Sequence, residues 1–137
     1  MPGSIAEAGV YRGEFSKHIS RAYPDRKFYL FDTFSGFPQN DMRTERLFNN
    51  TPFMEQRNFC ETDVELVRSK LVNPEKAVFC VGEFPESVQN IKDRYCFVSI
   101  DMDFYEPTYQ ALIFFYPCMV DGGSFCYMTI TGRLFLT

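Results

Sequence analysis

The chain has 137 residues, a length that fits one domain able to bury roughly two thirds of its unfolded surface. Its 45% apolar content, with 16 Phe and 8 Tyr, and its 23% charged residues exclude disorder as a main reading. A net charge of -4, with no run of Lys or Arg longer than two, leaves no field to gather a polyanion, so nucleic acid and anionic membrane are poor partners.

The first predicted element is a strand over SIAEAGV, residues 4–10, closed by Gly9; Phe15, Ile19 and Ala22 then recur at helical spacing through GEFSKHISRAY. Pro24 and Asp25 break that helix, and KFYLFD, residues 27–32, reads as a second strand ending on an acid. No periodicity appears from Thr33 to Cys60, a length typical of a lid or binding segment. Thr62 and Glu65 form a capping box ahead of a helical face of Val64, Val67 and Leu71. AVFCV (77–81) is a third strand, PESVQNIKD (85–93) a short helix and YCFVSID (95–101) a fourth strand. Pro107 suits the first turn of an apolar helix running to Tyr116, Asp121-Gly-Gly reads as a turn, and SFCYMTI (124–130) as a fifth strand. Strands alternating with helices predict a parallel sheet covered on both faces, a Rossmann-like α/β domain.

Cys60, Cys80, Cys96, Cys118 and Cys126 are odd in number and never form CxxC, so they read as core residues in a reducing compartment. No apolar stretch reaches the roughly 18 residues of a spanning helix and no signal peptide opens the chain, which points to the cytoplasm.

In open parallel sheets the ligand lies beyond the carboxyl ends of the strands. Three of those ends carry polar residues. EAGVYRG offers Glu7, Gly9 and Gly13, where glycines let a ligand approach the backbone and the helix start offers amides to an anion; the plain alternative is a tight turn. Asp32, 25 positions after Glu7, can accept hydrogen bonds from the vicinal hydroxyls of an adenosine ribose, or can simply cap a turn. IDMDFYEPT clusters Asp101, Asp103 and Glu106, suited to a hard cation such as Mg²⁺ or to capping the next helix. His18, the sole histidine, is expected to face solvent.

Together AEAGVYRGEFSKHI, FYLFDTFSGFP, FCETDVELV, VGEFPESV, FVSIDMDFYEPTYQAL and FYPCMVDGG resemble the macrocin O-methyltransferase (TylF/MycF-like) family, enzymes that use S-adenosylmethionine. The resemblance implies that Glu7, Gly9, Tyr11 and Gly13 line the methionine part of the cofactor and that Asp32 holds its ribose. It implies further that Thr33, Phe34, Gly82 and Phe84 border the sugar and adenine. Asp101 matches a carboxylate that binds a divalent metal and helps deprotonate the acceptor hydroxyl, with Asp103 as a second metal ligand. The implied partner is a small-molecule hydroxyl acceptor, sugar or otherwise, chosen by the segment Ser35 to Phe59; a homo-oligomer is compatible with the pattern.

The sequence departs from the family after Gly123. Where an acidic or His-Asp pair would supply further metal ligands stand Met128 and Thr129, neither of which replaces a carboxylate on Mg²⁺. The expectation is a domain truncated after its fifth strand, with an unpaired apolar sheet edge and poor methyl transfer. Tyr127 to Thr131 require codons TAY ATG ACN ATH ACN, and reading from the third base permits His-Asp-Tyr-Asn, so the tail is also expected to be a frame-shifted reading. Two other readings compete: a cofactor-binding remnant without turnover, and a glycosyltransferase using DMD as its metal motif, which leaves EAGVYRG and Asp32 without a role.

Overall fold

A computed structural model describes residues 1–32, 34, 64–83, 86–128 and 134–136. The chain order is β1 (Ser4–Ala8), α1 (Glu14–Ala22), β2 (Phe28–Asp32), α2 (Val64–Arg68), β3 (Ala77–Val81), β4 (Tyr95–Ile100), α3 (Tyr105–Phe115), β5 (Met119–Met128) and β6 (Leu134–Leu136). These strands form one sheet in the order β3-β2-β1-β4-β5-β6. The first five run parallel, as the alternating pattern requires, and β6 pairs antiparallel with β5.

Strands buried on both faces run nearly continuously apolar, which is why β2 reads FYLF and β4 YCFVSI with Ser99 as its one polar position. On one face α1 and α2 cover Ile5, Phe28, Leu30 and Cys96 through Ile19, Val67 and Leu71. On the other, α3 covers Ala6, Phe31, Tyr95 and Val98 through Ala111 and Phe115. Aromatic edges knit that second layer: Phe115 meets Tyr95 at 5.1 Å and Phe31 at 5.6 Å, both edge-on.

β1 ends at Ala8 and Gly9 closes it at φ 90°, as expected. Four expectations are corrected. The buried residues of α1 are Ser16, Ile19 and Ser20, whereas Phe15 and Ala22 are exposed; Ser16 turns its hydroxyl toward the buried Glu7, and Ser20 bonds the Lys17 carbonyl. The helix expected over 85–93 is a single 3₁₀ turn at Glu86–Val88. Asp121-Gly-Gly is no turn: β5 already begins at Met119, opposite Tyr95, and register resumes with Phe97 opposite Ser124, so the glycines form a bulge with Gly122 at φ 82°. The fifth strand is also not the sheet's edge, since Cys126, Tyr127 and Met128 pair with Leu136, Phe135 and Leu134. The Thr62 cap, the segment Ser35 to Phe59 and Thr129 lie outside the described residues.

The sheet grows from β1 in two directions, toward β2 and β3 and then toward β4 and β5. The carboxyl ends of β1 and β4 are therefore the switch point, where an open α/β sheet leaves a crevice.

Candidate cofactor site

Gly9 fixes the floor of that crevice. A Cβ at this position would lie 2.0 Å from the Asp101 carbonyl oxygen, and Asp101 N donates to Ala8 O at 2.9 Å. The ends of β1 and β4 thus touch backbone to backbone, and only glycine permits it. Gly13, at φ 80°, precedes the first residue of α1, and a Cβ there would meet Val67 Cγ1 at 3.0 Å. Its lack of a side chain is demanded by α2.

Between these glycines the loop is held from β2. Asp32 Oδ2 accepts from Val10 N at 2.8 Å and Tyr11 N at 2.9 Å, and Oδ1 accepts from Phe34 N at 3.2 Å. Gly82 N donates to the Asp32 carbonyl at 3.0 Å, bringing the end of β3 alongside. Tyr11 stands exposed at φ 54°, with the Arg12 guanidinium 5.5 Å from its ring centre. Phe34 turns away, buried against Phe79.

Glu7 lies beneath the loop and is 1% exposed. Burial pushes its carboxyl up to about 8; Asp101 and Asp32 add to the rise, while a hydrogen bond from Ser16 Oγ opposes it. In the sheet Glu7 stands opposite Ser99, and Ser99 opposite Cys126, so three polar side chains share one row on the α1 face. Burial raises the Cys126 thiol, with Ser99 acting against it. Sequence reasoning missed Ser16 and Ser99 as members of this group. The available signal was a serine inside the otherwise apolar strand YCFVSI.

Asp101 stands at the exposed end of β4, yet desolvation against the strand ends raises its carboxyl. Asp103, also exposed, follows in the bend before α3. Among the described residues no group of three or more His, Cys, Asp or Glu side chains could hold a metal ion. Asp101 and Asp103 are the two carboxylates at this strand end, and Mg²⁺ ordinarily takes one or two carboxylates beside its waters. Glu7, Gly9, Tyr11, Gly13, Asp32, Gly82 and Asp101 are thus brought to one edge of the sheet, while Thr33 and Phe84 lie outside the described residues. An open cavity bounded by Tyr23, Arg26, Lys27 and Asp93 lies at the opposite, amino edge, the wrong side for a ligand of such a sheet. His18 is exposed, as expected, and no described helix is long and apolar enough to cross a membrane.

The chain is similar to the O-methyltransferase NovP, at 25% identity and a TM-score of 0.66 over 92% of this chain and 56% of that one. CalS11, a calicheamicin methyltransferase, shares the fold at 24% identity and a TM-score of 0.66 over 93% and 58% of the two chains. The plantazolicin methyltransferase BpumL, solved in complex with SAH, shares it at 16% and 0.54, over 93% and 38%. This chain therefore spans little more than half the length of NovP and CalS11. No curated protein sequence matches it. The family model for macrocin O-methyltransferase (TylF) matches residues 1–130, nearly the whole chain, and the chain belongs to that family.

Proposed function

We propose that the chain binds S-adenosylmethionine at the carboxyl ends of β1, β2 and β4 and directs its methyl group to a hydroxyl of a sugar or other small molecule. The observation that carries the reading is the loop Gly9 to Gly13, a backbone floor with no room for a side chain at Gly9, held at the switch point by the acid ending β2. Family membership supports the choice of cofactor, and the SAH bound to BpumL supports it at the level of fold.

When bound, the cofactor supplies a sulfonium methyl, an electrophile strong enough that the protein's task is placement and proton removal. Asp32 orients the ribose, and Gly9 lets the methionine part lie against the backbone. Asp101, whose carboxyl is raised by desolvation, accepts the proton of the acceptor hydroxyl. Asp101 and Asp103 are the residues that would hold a divalent ion, and such an ion would make the acceptor hydroxyl easier to deprotonate.

Titration calorimetry with S-adenosylhomocysteine tests the first half, and saturable binding is expected. Labelled-methyl transfer to a panel of sugar and phenol hydroxyls tests the second. Asp101→Asn should lower transfer by about 10²- to 10⁴-fold while leaving S-adenosylhomocysteine affinity in place. Transfer by the variant within twofold of the parent removes Asp101 as base. Cofactor binding with no transfer to any acceptor favours the reading in which this chain binds without turnover, and absence of binding defeats the proposal.

A further inference from the structure

Two successive amides, those of Val10 and Tyr11, converge on a single oxygen where the chain enters the turn closed by Gly13 N on the Val10 carbonyl, and Tyr11 itself holds φ at 54°. Successive N–H groups in a turn form a concavity that favours an anion. Here the concavity is filled from within by Asp32 Oδ2. A carboxylate oxygen presents two lone pairs, so Oδ2 has both committed to the loop.

We propose that Asp32 is a positioning residue for the glycine loop: its carboxylate is a built-in anion that occupies the Val10–Tyr11 amide nest and sets the loop in ligand-ready form, while Oδ1, which also accepts from Phe34 N, faces the ribose hydroxyls. This deepens the S-adenosylmethionine reading above and rests on it only for the last clause. A tyrosine would not keep a left-handed backbone unaided, because its Cβ crowds the following carbonyl. Two charge-assisted hydrogen bonds on the amides that lead into that strain hold it.

Substituting Asp32 then does something a lost ribose contact would not: it opens an anion site. The test is amide hydrogen exchange at Val10 and Tyr11 in the full chain without cofactor, with the parent, Asp32→Asn and Asp32→Ala, the last with and without formate. Protection of both amides should fall about tenfold or more in Asp32→Ala and return with formate, while Asp32→Asn, which can turn its amide oxygen to both donors, keeps most of it. S-adenosylhomocysteine affinity should fall in both variants, and formate should recover part of it in Asp32→Ala. Unchanged exchange at the two amides in Asp32→Ala, or formate without effect while the amides of β1 stay protected, overturns the proposal. If Asp32→Ala unfolds globally, Asp32→Asn decides: loss of protection at Val10 and Tyr11 in that folded variant overturns it equally. Exchange is read without cofactor, so failure to bind S-adenosylhomocysteine defeats only the cofactor reading.

Discussion

A buried carboxyl that keeps its proton writes itself into the pH dependence of folding. Glu7 holds its proton in the folded chain up to about pH 8, against an ordinary value of 4.5. Throughout that window the folded state binds more protons than the unfolded state, so stability falls as pH rises. Glu7→Gln, neutral at every pH, should flatten the decline and gain on the parent by on the order of a few kcal/mol at pH 8. Urea unfolding at pH 5.5 and 8 reads this directly, and parallel slopes for the two proteins would contradict it. At Gly9, φ 90° and the 2.0 Å approach to the Asp101 carbonyl act together. Gly9→Ala should cost about 3 kcal/mol or more, and a loss under about 1 kcal/mol would mean that the strand ends part easily.

At the scale of elements, the last residue of α3 and the one that caps it differ sharply. Phe115 is fully buried between Tyr95 and Phe31, so Phe115→Ala should cost about 3 to 5 kcal/mol, whereas Tyr116→Ala, at a position 75% exposed, should stay within about 0.5 kcal/mol. Thermal or urea unfolding distinguishes the two. β6 protects β5 through backbone pairing, and Phe135→Pro removes a donor from that ladder opposite Tyr127. Aggregation should rise in light scattering, and an unaltered scattering profile would show that three edge residues are not what guards the sheet. The elements were legible where burial is uniform: β2 and β4 announce themselves as apolar runs, broken in β4 only by Ser99, and Asp32 and Asp101 mark their ends. Legibility failed where a local signal has two meanings. Gly122 and Gly123 read as a turn because glycine pairs serve turns and bulges alike, and only the register against β4 separates them. The face of α1 escapes a periodicity that counts apolar residues, because two of its three buried positions are serines, Ser16 bonded to the buried Glu7 and Ser20 to backbone. Among the site residues, the sequence could place Asp32 at a strand end but could not show that its carboxylate already holds two amides of another loop.

For the whole molecule, the junction that makes the crevice joins distant stretches of chain, since Ala8 pairs with Ile100 and Gly9 rests on Asp101. Pairings so far apart in sequence must pay loop-closure entropy before contacts reward them, which places them late in folding. On a ribosome, β1 and β2 can meet early, but β1 must wait with one flank open until β4 has emerged. During that wait Glu7 lacks its neighbour Ser99, and the crevice has no second wall. Binding competence in a nascent chain should accordingly switch on over a narrow span of lengths, after Asp101 has left the exit tunnel, and not grow in proportion to chain made.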